Sequence, residues 1–232
     1  MLNKNRHKLV MTQIIKDIYS DVSISSLLGF KGGTAAFIFF ALPRFSVDLD
    51  FDLLEDSEKN RELVFGKIEK ILLKYGEIKD SQQEFATLFF ALSYGAHEHQ
   101  IKVEINTRKT GAHYELKSYF GIGMLVVEKA SMLAGKLMAL TGRKVFAARD
   151  LFDTHFFLQQ RWEIEKDVLE AYGEKSTKAY LGRCITYVEK LPENKLLGGL
   201  GELISEKEKT FVRNQLKREV LFLLRAYQDI EK

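Results

Sequence analysis

Hydrophobic and polar positions follow different periods along this chain, and each period predicts a different kind of element. Hydrophobic residues recur at helical spacing in the first segment, which predicts one amphipathic helix within residues 2–28. After the glycine pair at 32–33, an apolar run over 34–42 ends at Pro43. Its length and its glycine entry favour a short buried helix, although periodicity alone does not separate a buried helix from a buried strand.

The segment 46–54, SVDLDFDLL, alternates strictly between apolar and polar positions, which predicts a half-buried strand with an acidic face. Its apolar face carries Val47, Leu49 and Phe51, and its acidic face carries Asp48, Asp50 and Asp52. The spacing that follows predicts a helix over 57–75 with Ser57 as its N-cap. Further strands are expected over 85–94 and 100–106.

The pattern becomes helical in the second half of the chain. Apolar spacing predicts helices over 128–141 and 147–160 and at least two more in the remainder, the longest of them over 207–230. The chain therefore predicts an α+β fold class, with an α/β domain over 1–120 and a helical domain over 121–232.

The composition is that of a globular protein with a sizeable core, because 46% of the 232 residues are hydrophobic and 29% are charged. No apolar stretch has the ~18 residues that a membrane helix needs, and the polar, basic start is not a secretory signal. Cys184 is the one cysteine, which excludes an internal disulfide and fits the reducing cytoplasm. The net charge of +3 is compatible with a nucleotide or RNA substrate and does not establish one.

The stretch over 31–54, KGGTAAFIFFALPRFSVDLDFDLL, carries the first candidate chemistry. Glycines before a helix let backbone N–H groups approach a phosphate, which the helix N-terminus also favours. Asp48 and Asp50 stand two residues apart on a strand, so their carboxylates share a face and repel each other unless a cation lies between them. Mg²⁺ suits such oxygen ligands. A solvated strand face is the common explanation of a lone pair of this kind, and the upstream glycine pair favours the metal site.

These residues resemble a known motif. The pattern GGT, then Arg44, then SxDxDF is similar to motif one of the nucleotidyltransferase superfamily that includes DNA polymerase beta. More narrowly, it resembles the AbiEii/AbiGii toxin family of type IV toxin–antitoxin and abortive-infection systems. A second block over 134–158, AGKLMALTGRKVFAARDLFDTHFFL, resembles that family's xEKLxAL…R…RDLxDL signature, with Gly135 in place of the usual acidic residue. The resemblance covers about residues 29–160.

The resemblance implies a nucleotidyltransferase-like mixed β-sheet with flanking helices, followed by a C-terminal helical domain. It implies an NTP bound by Gly32, Gly33, Thr34, Arg44, Ser46 and Lys136. It implies Mg²⁺ or Mn²⁺ on Asp48 and Asp50, and catalytic roles for Asp48, Asp50, Lys136 and Asp150. The implied acceptor is an RNA, in particular a tRNA 3′ end, and the implied partner is a separately encoded antitoxin.

Lys136 lies within an apolar helical stripe, where an unpaired ammonium is costly. Its stem could lie along the stripe with its head in water, or its ammonium could reach the triphosphate, which the resemblance favours. If the ammonium meets the triphosphate, replacing Lys136 by Met is expected to weaken NTP binding and to preserve or increase stability. The resemblance implies that Asp150 faces the active site, where it could orient or deprotonate the acceptor hydroxyl or contact the bound nucleotide. Arg149 and Asp153, four residues apart, could simply pair, and Asp153 could instead fasten the helical half to the α/β half.

Other polar groups allow two interpretations each. Glu104 is a candidate third metal ligand on a neighbouring strand, or part of a solvated strand face. His97, Glu98 and His99 suggest a metal cluster, although a solvated turn between strands is the favoured explanation. A basic run near the C-terminus could meet RNA phosphates or form an ordinary helix surface. The run comprises Lys207, Lys209, Arg213, Lys217 and Arg218.

Two rival functions remain at the level of the sequence. The first is nucleotidyl transfer to a small molecule, as in aminoglycoside-modifying relatives; an RNA acceptor differs from it in binding with a strong salt dependence. The second is a catalytically silent nucleotide- or protein-binding module on the same fold. The presence of Asp48, Asp50 and Lys136 argues against a silent module.

Overall fold

Strands and helices alternate in the first part of the chain, in a computed structural model that describes residues 2–96 and 98–231. The first part contains α1 (Lys4–Ser20), β1 (Leu28–Lys31), α2 (Gly32–Phe39), β2 (Leu49–Leu53), α3 (Glu58–Leu72), β3 (Glu77–Glu84), β4 (Thr87–Ser93), β5 (Ile101–Asn106), β6 (Tyr114–Tyr119) and β7 (Ile122–Val127). The second part contains α4 (Lys129–Gly142), α5 (Ala148–Gln159), α6 (Lys166–Ala171), α7 (Thr177–Glu189), α8 (Glu206–Asn214) and α9 (Leu216–Ile230).

The strands form one seven-stranded mixed sheet in the order β3-β4-β5-β2-β1-β7-β6. β1 pairs antiparallel with β2 and parallel with β7, and β2 pairs parallel with β5. The apolar positions of β2 are buried as their alternation predicts, with Leu49, Phe51 and Leu53 at most 4% exposed. This confirms the mixed sheet with flanking helices.

The chain forms two compact units. The α/β unit comprises Met1–Ala41, Phe45–Lys109 and Tyr114–Val127, and the helical unit comprises Leu42–Arg44, Thr110–His113 and Glu128–Lys232. The division into domains at residue 120 stays a prediction. No helix in the described ranges combines the length and the apolar composition that a membrane crossing requires.

The core of the α/β unit is built from the sheet and two helices. α1 contacts β7, α3 contacts β3 and β4, and the two helices contact each other. The inner stripe of α1 includes Ile14 and Ile18, and that of α3 includes Val64 and Ile68, all fully buried. Ser57 caps α3 by accepting a hydrogen bond from the backbone of Asn60, as its position predicts.

The helical unit packs its longer helices against one another. α7 and α5 both contact α9, and α4 contacts α5. Phe157 of α5 stacks on Trp162 with ring centroids 4.4 Å apart. The predicted helix over 207–230 is two helices, because the backbone leaves helical geometry at Gln215.

Several elements differ from their sequence-based prediction. The helix within 2–28 ends at Ser20, and residues 28–31 form β1, whose four residues are too short for a period to show. β3 is an exposed edge strand with an almost wholly polar sequence, EIKDSQQE, so it shows no apolar alternation. The short helix predicted over 34–42 is observed as α2, Gly32–Phe39; its residues 33–36 are buried, and residues 37–40 are partly exposed.

Candidate active site

Acidic side chains of β2 and β5 lie side by side on one face of the sheet. Asp50 is the register partner of Glu104 on β5 and of Lys31 on β1. Register partners project to the same face, so these side chains form a row across three strands. Glu104 is exposed and Asp50 is half-buried. The structure thus brings the predicted third carboxylate next to Asp50, while its role as a metal ligand stays a prediction.

The start of α2 lies directly against Asp50. Gly32 has φ +74, in the left-handed region that favours glycine, and a Cβ added there would lie 2.1 Å from Oδ2 of Asp50. The close approach expected of this glycine is therefore made to Asp50 itself. In the part of the chain that the structure describes, the N-cap residue Lys31 makes no side-chain capping bond to this helix. The partial positive charge of the helix start therefore lies beside a carboxylate.

The segment before β2 is tied to α2 by a side chain. The hydroxyl of Thr34, which is fully buried on α2, donates a hydrogen bond to the backbone carbonyl of Asp48. Asp48 is half-buried and comes one residue before β2, and Ser46 is 6% exposed. The predicted strand over 46–54 is therefore shorter, and a hydrogen bond to α2 fixes the backbone of Asp48.

Asp52 is neutralised by its own set of partners. It is 3% exposed. Lys31 donates to Oδ1 at 2.5 Å, Asn106 donates to the same oxygen at 2.7 Å, and the hydroxyl of Tyr114 donates to Oδ2. Lys31 therefore compensates Asp52, and Asp50 and Glu104 add further negative charge to the same face. Such an accumulation of carboxylates is what a bound divalent cation stabilises.

No pattern in the sequence indicates these partners of Asp52. Lys31, Asn106 and Tyr114 come from different strands, and only the sheet register brings them to one carboxylate. The available signal was Asp52 itself, because a third aspartate in the alternation needs compensation once it is buried.

In the helical unit, the predicted residues Arg44, Lys136, Asp150 and Asp153 lie together with the exposed Arg143, and we define these five residues as the ion cluster. Lys136 contacts Asp150 at 2.7 Å and Asp153 at 2.9 Å. Arg44 donates two bonds to Asp153, at 2.5 and 2.7 Å, and Arg143 donates to Asp150 at 2.7 Å. The lysine stem thus ends on carboxylates rather than in water. This changes the expectation that an apolar replacement of Lys136 preserves stability.

The cations of the cluster keep both carboxyls ionised. Burial raises the pKa of Asp150, but the charge of Lys136 and then of Arg143 outweighs it, so the pKa lies below its usual value. Burial likewise raises the pKa of Asp153, and Lys136 and Arg44 hold it low. A general base works best with a pKa near the operating pH. Because the pKa of Asp150 is low, Asp150 is better suited to orienting a hydroxyl than to deprotonating it.

The ion cluster also bears on two residues with other predicted partners. The guanidinium of Arg44 is directed to Asp153 and its side chain is only 2% exposed, so its predicted contact with the nucleotide stays a prediction. Among the described residues, Asp153 pairs with Arg44 and Lys136 instead of with Arg149.

A mixed group in the helical unit was not predicted. His113, Glu165 and Asp167 offer ligand atoms within 4.8 Å of one another. Nε2 of His113 lies 3.1 Å from Asp167, and Nδ1 lies 3.4 Å from Glu165. Each ring nitrogen thus has its own carboxylate, so ion pairing accounts for the group, and a single metal ion could take only one of the two nitrogens. As for the predicted His97–His99 turn, His97 lies outside the described residues, and Glu98 pairs with Arg6.

The basic run near the C-terminus is partly used inside the fold. Lys217 donates to the carbonyls of Glu189 and Leu191 at the end of α7, and Lys209 pairs with Glu206. Some members of the run, Lys217 among them, also border a cleft of about 250 Å³ at the junction of α8 and α9. Its lining includes Arg213, Lys217, Arg218 and Glu193. Contact of this run with RNA stays a prediction.

Comparison with known proteins places this geometry in context. Residues 13–229 match the family described as Nucleotidyl transferase AbiEii toxin, Type IV TA system. Two solved structures have a similar fold. A candidate nucleotidyltransferase from H. pylori is 20% identical, with a TM-score of 0.54 over 96% of both chains. JHP933 from Helicobacter pylori is 20% identical, with a TM-score of 0.55 over 99% of this chain and 97% of that one. None of the curated protein sequences matches.

Proposed function

This chain belongs to the AbiEii family of nucleotidyl transferase toxins of type IV toxin–antitoxin systems, and on that premise we propose that it transfers a nucleotide from an NTP to an RNA hydroxyl. Pyrophosphate is the leaving group. The observation that carries the proposal is the junction of β1 and α2, where the carboxylate of Asp50 lies against the start of a helix. A helix start favours phosphate and a carboxylate favours a divalent cation, so the two together suit a metal-bound triphosphate.

The chain's own residues would hold the nucleotide from the α/β unit. Backbone N–H groups in the first turn of α2, which begins at Gly32 and Gly33, would donate to phosphate oxygens. Thr34 holds the Asp48 backbone in place, and Ser46 lies two residues before Asp48. Because these groups are fixed in advance, they would position the phosphates without a reorganisation cost.

A divalent metal ion fits the residues present. Asp48, Asp50 and Glu104 offer hard carboxylate oxygens, and the nearby Lys31 is directed to Asp52. Mg²⁺ or Mn²⁺ held there would neutralise charge on the triphosphate during transfer. Addition of a chelator should abolish transfer, and Mg²⁺ added back should restore it.

Lys136 and Asp150 have proposed roles that rest on the family resemblance. Lys136 would bind the triphosphate, and Asp150, kept ionised by Lys136 and Arg143, would orient the acceptor hydroxyl. The acceptor we favour is an RNA, in particular a tRNA 3′ end, with the basic run of α8 and α9 on its phosphates. The family implies an antitoxin partner, and we expect NTP and RNA to be met in the cytoplasm.

The deciding experiment incubates the protein with each labelled NTP, Mg²⁺ and total host RNA. The expected result is label in a discrete RNA band whose mass increases by one or more nucleotides, and no label with Asp50→Asn. The matched control is Asp80→Asn on the exposed edge strand β3. Label that appears only in a small acceptor such as an aminoglycoside would identify the rival enzyme. No label in either, with NTP binding retained, would identify the silent module.

A further inference from the structure

An aromatic surface lies on the α/β unit at the end of α2. We define the aromatic surface as Phe37, Phe39 and Phe40 at the end of α2 with Tyr119 and Phe120 at the turn between β6 and β7. Phe120 is 78% exposed and the other members are half-exposed. Phe39 contacts Tyr119 edge-on at 5.8 Å, and Tyr119 contacts Phe120 at 4.6 Å. Exposed aromatic residues that adjoin one another mark a binding surface.

Lysines lie over the rings of this region. Nζ of Lys8 is 5.5 Å from the centroid of Phe37, and Nζ of Lys117 is 5.2 Å from that of Phe40. Lys4 lies over Phe45, which itself contacts Phe37 at 5.6 Å. Lys117 also pairs with Glu115 at 2.9 Å. Positive charge therefore alternates with aromatic rings along this surface.

The lysines of α1 stand where the helix itself disfavours them. Lys4, Arg6 and Lys8 occupy the first turns, at the positive end of the helix dipole, and the first turn carries no acidic residue. Arg6 is compensated by Glu98. Lys4 and Lys8 instead extend over phenylalanine rings. The helix would be more stable with acids there, so the choice of lysine indicates an anionic ligand.

Phe120 has a backbone conformation that its side chain does not suit. It has φ +49 and is followed by Gly121 with φ +79, in a two-residue turn that joins the paired Tyr119 and Ile122. Asn and Gly are favoured at the first of these positions, and a bulky aromatic there is rare. With 78% of its surface exposed, Phe120 contributes little to the core. A strained, exposed aromatic is a sign of function.

We propose that the aromatic surface binds an unpaired, single-stranded segment of RNA. Bases would stack on Phe120, Tyr119 and Phe37, and phosphates would lie beside Lys4 and Lys8. Single-strand binding commonly combines stacked aromatic rings with cations along the backbone. This inference rests on the proposed function, because it takes RNA to be the acceptor, and it assigns a surface that recognises the unpaired part of that acceptor.

The first test replaces Phe120 by Asn and measures binding of a fluorescent, unstructured RNA of about twelve nucleotides without NTP. We expect affinity to fall about 5- to 100-fold, and the melting temperature to stay equal or rise, because Asn suits the turn. The control is Phe85→Asn, which removes a 90% exposed phenylalanine from the turn between β3 and β4 at the other edge of the sheet. An unchanged affinity in Phe120→Asn, or an equal loss in Phe85→Asn, overturns the proposal.

The second test concerns the phosphates. Replacing Lys4 and Lys8 together by Gln should lower the slope of log affinity against log salt by about 1.4, since each single-strand phosphate contributes about 0.7. The control replaces Lys59 and Lys70, exposed lysines of α3, and carries the same change in net charge. Equal slopes in the two double variants overturn the proposed path of the backbone.

Failure of this inference and failure of the proposed function give different results. If wild-type protein labels RNA and Phe120→Asn binds and labels it equally well, the aromatic surface is wrong and the proposed function stands. If the protein binds RNA through Phe120 but labels nothing, the proposed transfer is wrong and the surface stands. If Phe120→Asn no longer binds the antitoxin protein but still binds RNA, the surface belongs to a protein partner and the inference is overturned.

Discussion

Three aspartates, spaced two residues apart, lie just before and within β2, and each has a different environment in the structure. Asp48 precedes the strand with its carbonyl bound by Thr34, and Asp50 lies against the start of α2. Asp52 is buried with its charge compensated by Lys31. The same residue type at the same spacing thus serves a candidate catalytic role at two positions and a structural role at the third.

Single replacements of these aspartates should separate the two roles. Asp48→Ala or Asp50→Ala should abolish nucleotide transfer at saturating Mg²⁺ and keep the melting temperature, because removing one of two repelling carboxylates costs the fold little. Asp52→Ala should lower the free energy of unfolding by about 1–3 kcal/mol, because Lys31 and Asn106 lose a buried partner. Transfer assays and urea unfolding measure the two effects. Near wild-type transfer by Asp50→Ala would show that the two-carboxylate site is wrong.

Lys136 gives a second prediction at this scale. Lys136→Met should weaken binding of a non-hydrolysable NTP with Mg²⁺ in calorimetric titration. It should also lower the free energy of unfolding by about 3 kcal/mol or less, because Asp150 and Asp153 each keep an arginine partner. The matched control is Lys144→Met on the exposed segment before α5. Unchanged NTP affinity with lowered stability would make Lys136 purely a structural residue of the ion cluster.

At the scale of elements, the junction of β1 and α2 decides the geometry of the candidate site. β1 ends at Lys31 and α2 begins at the next residue, so the chain turns within Gly32. That turn uses a left-handed conformation and leaves no room for a Cβ beside Asp50. A strand that runs directly into a helix thereby sets the carboxylate of Asp50, a candidate catalytic residue, against the helix start.

Replacing this glycine should therefore affect both stability and activity. Gly32→Ala should lower the free energy of unfolding by about 1–3 kcal/mol through the strained backbone and the displaced Asp50, and transfer should fall with it. Gly135→Ala is the control, since that glycine is exposed in α4 and an added Cβ meets nothing within 4 Å. It should raise stability by up to about 1 kcal/mol. Equal behaviour of the two variants in thermal unfolding would contradict the close approach.

At the scale of the whole molecule, the two units arrange their charged residues differently. The α/β unit gathers carboxylates on one face of its sheet, with Asp50 and Glu104 as register partners. The helical unit buries Asp150 and Asp153 and surrounds them with arginine and lysine. Because Asp150 and Asp153 are buried beside cations, the stability of the folded chain depends on pH.

The ion cluster predicts a loss of stability in acid. The carboxyls of Asp150 and Asp153 have a lower pKa in the folded chain than the ordinary value of 3.8, because their cations outweigh burial. The unfolded chain therefore binds more protons between the two pKa values, so stability rises with pH there. The contribution is complete above about pH 5 and is lost as the pH falls through the lower, folded pKa.

Urea unfolding at about pH 5.5 and about pH 3 checks this prediction. Asp150→Asn should be less stable than the wild type at the higher pH and should lose less stability on acidification, because one of the linked carboxyls is gone. Tyr19→Phe, which removes a buried hydroxyl of α1 and no carboxyl, serves as the control. An identical loss in Asp150→Asn and the wild type would show that this carboxyl is not linked to folding.

Much of the fold and part of the site follow from local pattern. Local patterns predicted the alternation in β2 and β5, the cap at Ser57 and the glycine start of α2. Each of these features depends on the residues of a single segment. β1, the edge strand β3 and the hairpin of β6 and β7 were missed. β1 is too short to show a period, and an edge strand such as β3 has no buried face. The break at Gln215 was missed because the apolar spacing continues across it.

The sequence by itself determined which residues face inward and which carry charge. It placed a glycine pair before a helix, aspartates at two-residue spacing after it, and a lysine in an apolar stripe. Only the tertiary structure decided the partners: Lys31, Asn106 and Tyr114 on Asp52, and Arg44 on Asp153. The physical reason is that periodicity records the side of an element on which a residue lies. The partner that the residue meets there depends on strand order, register and helix packing. Arg44 and Asp153, for example, are 109 positions apart in the chain.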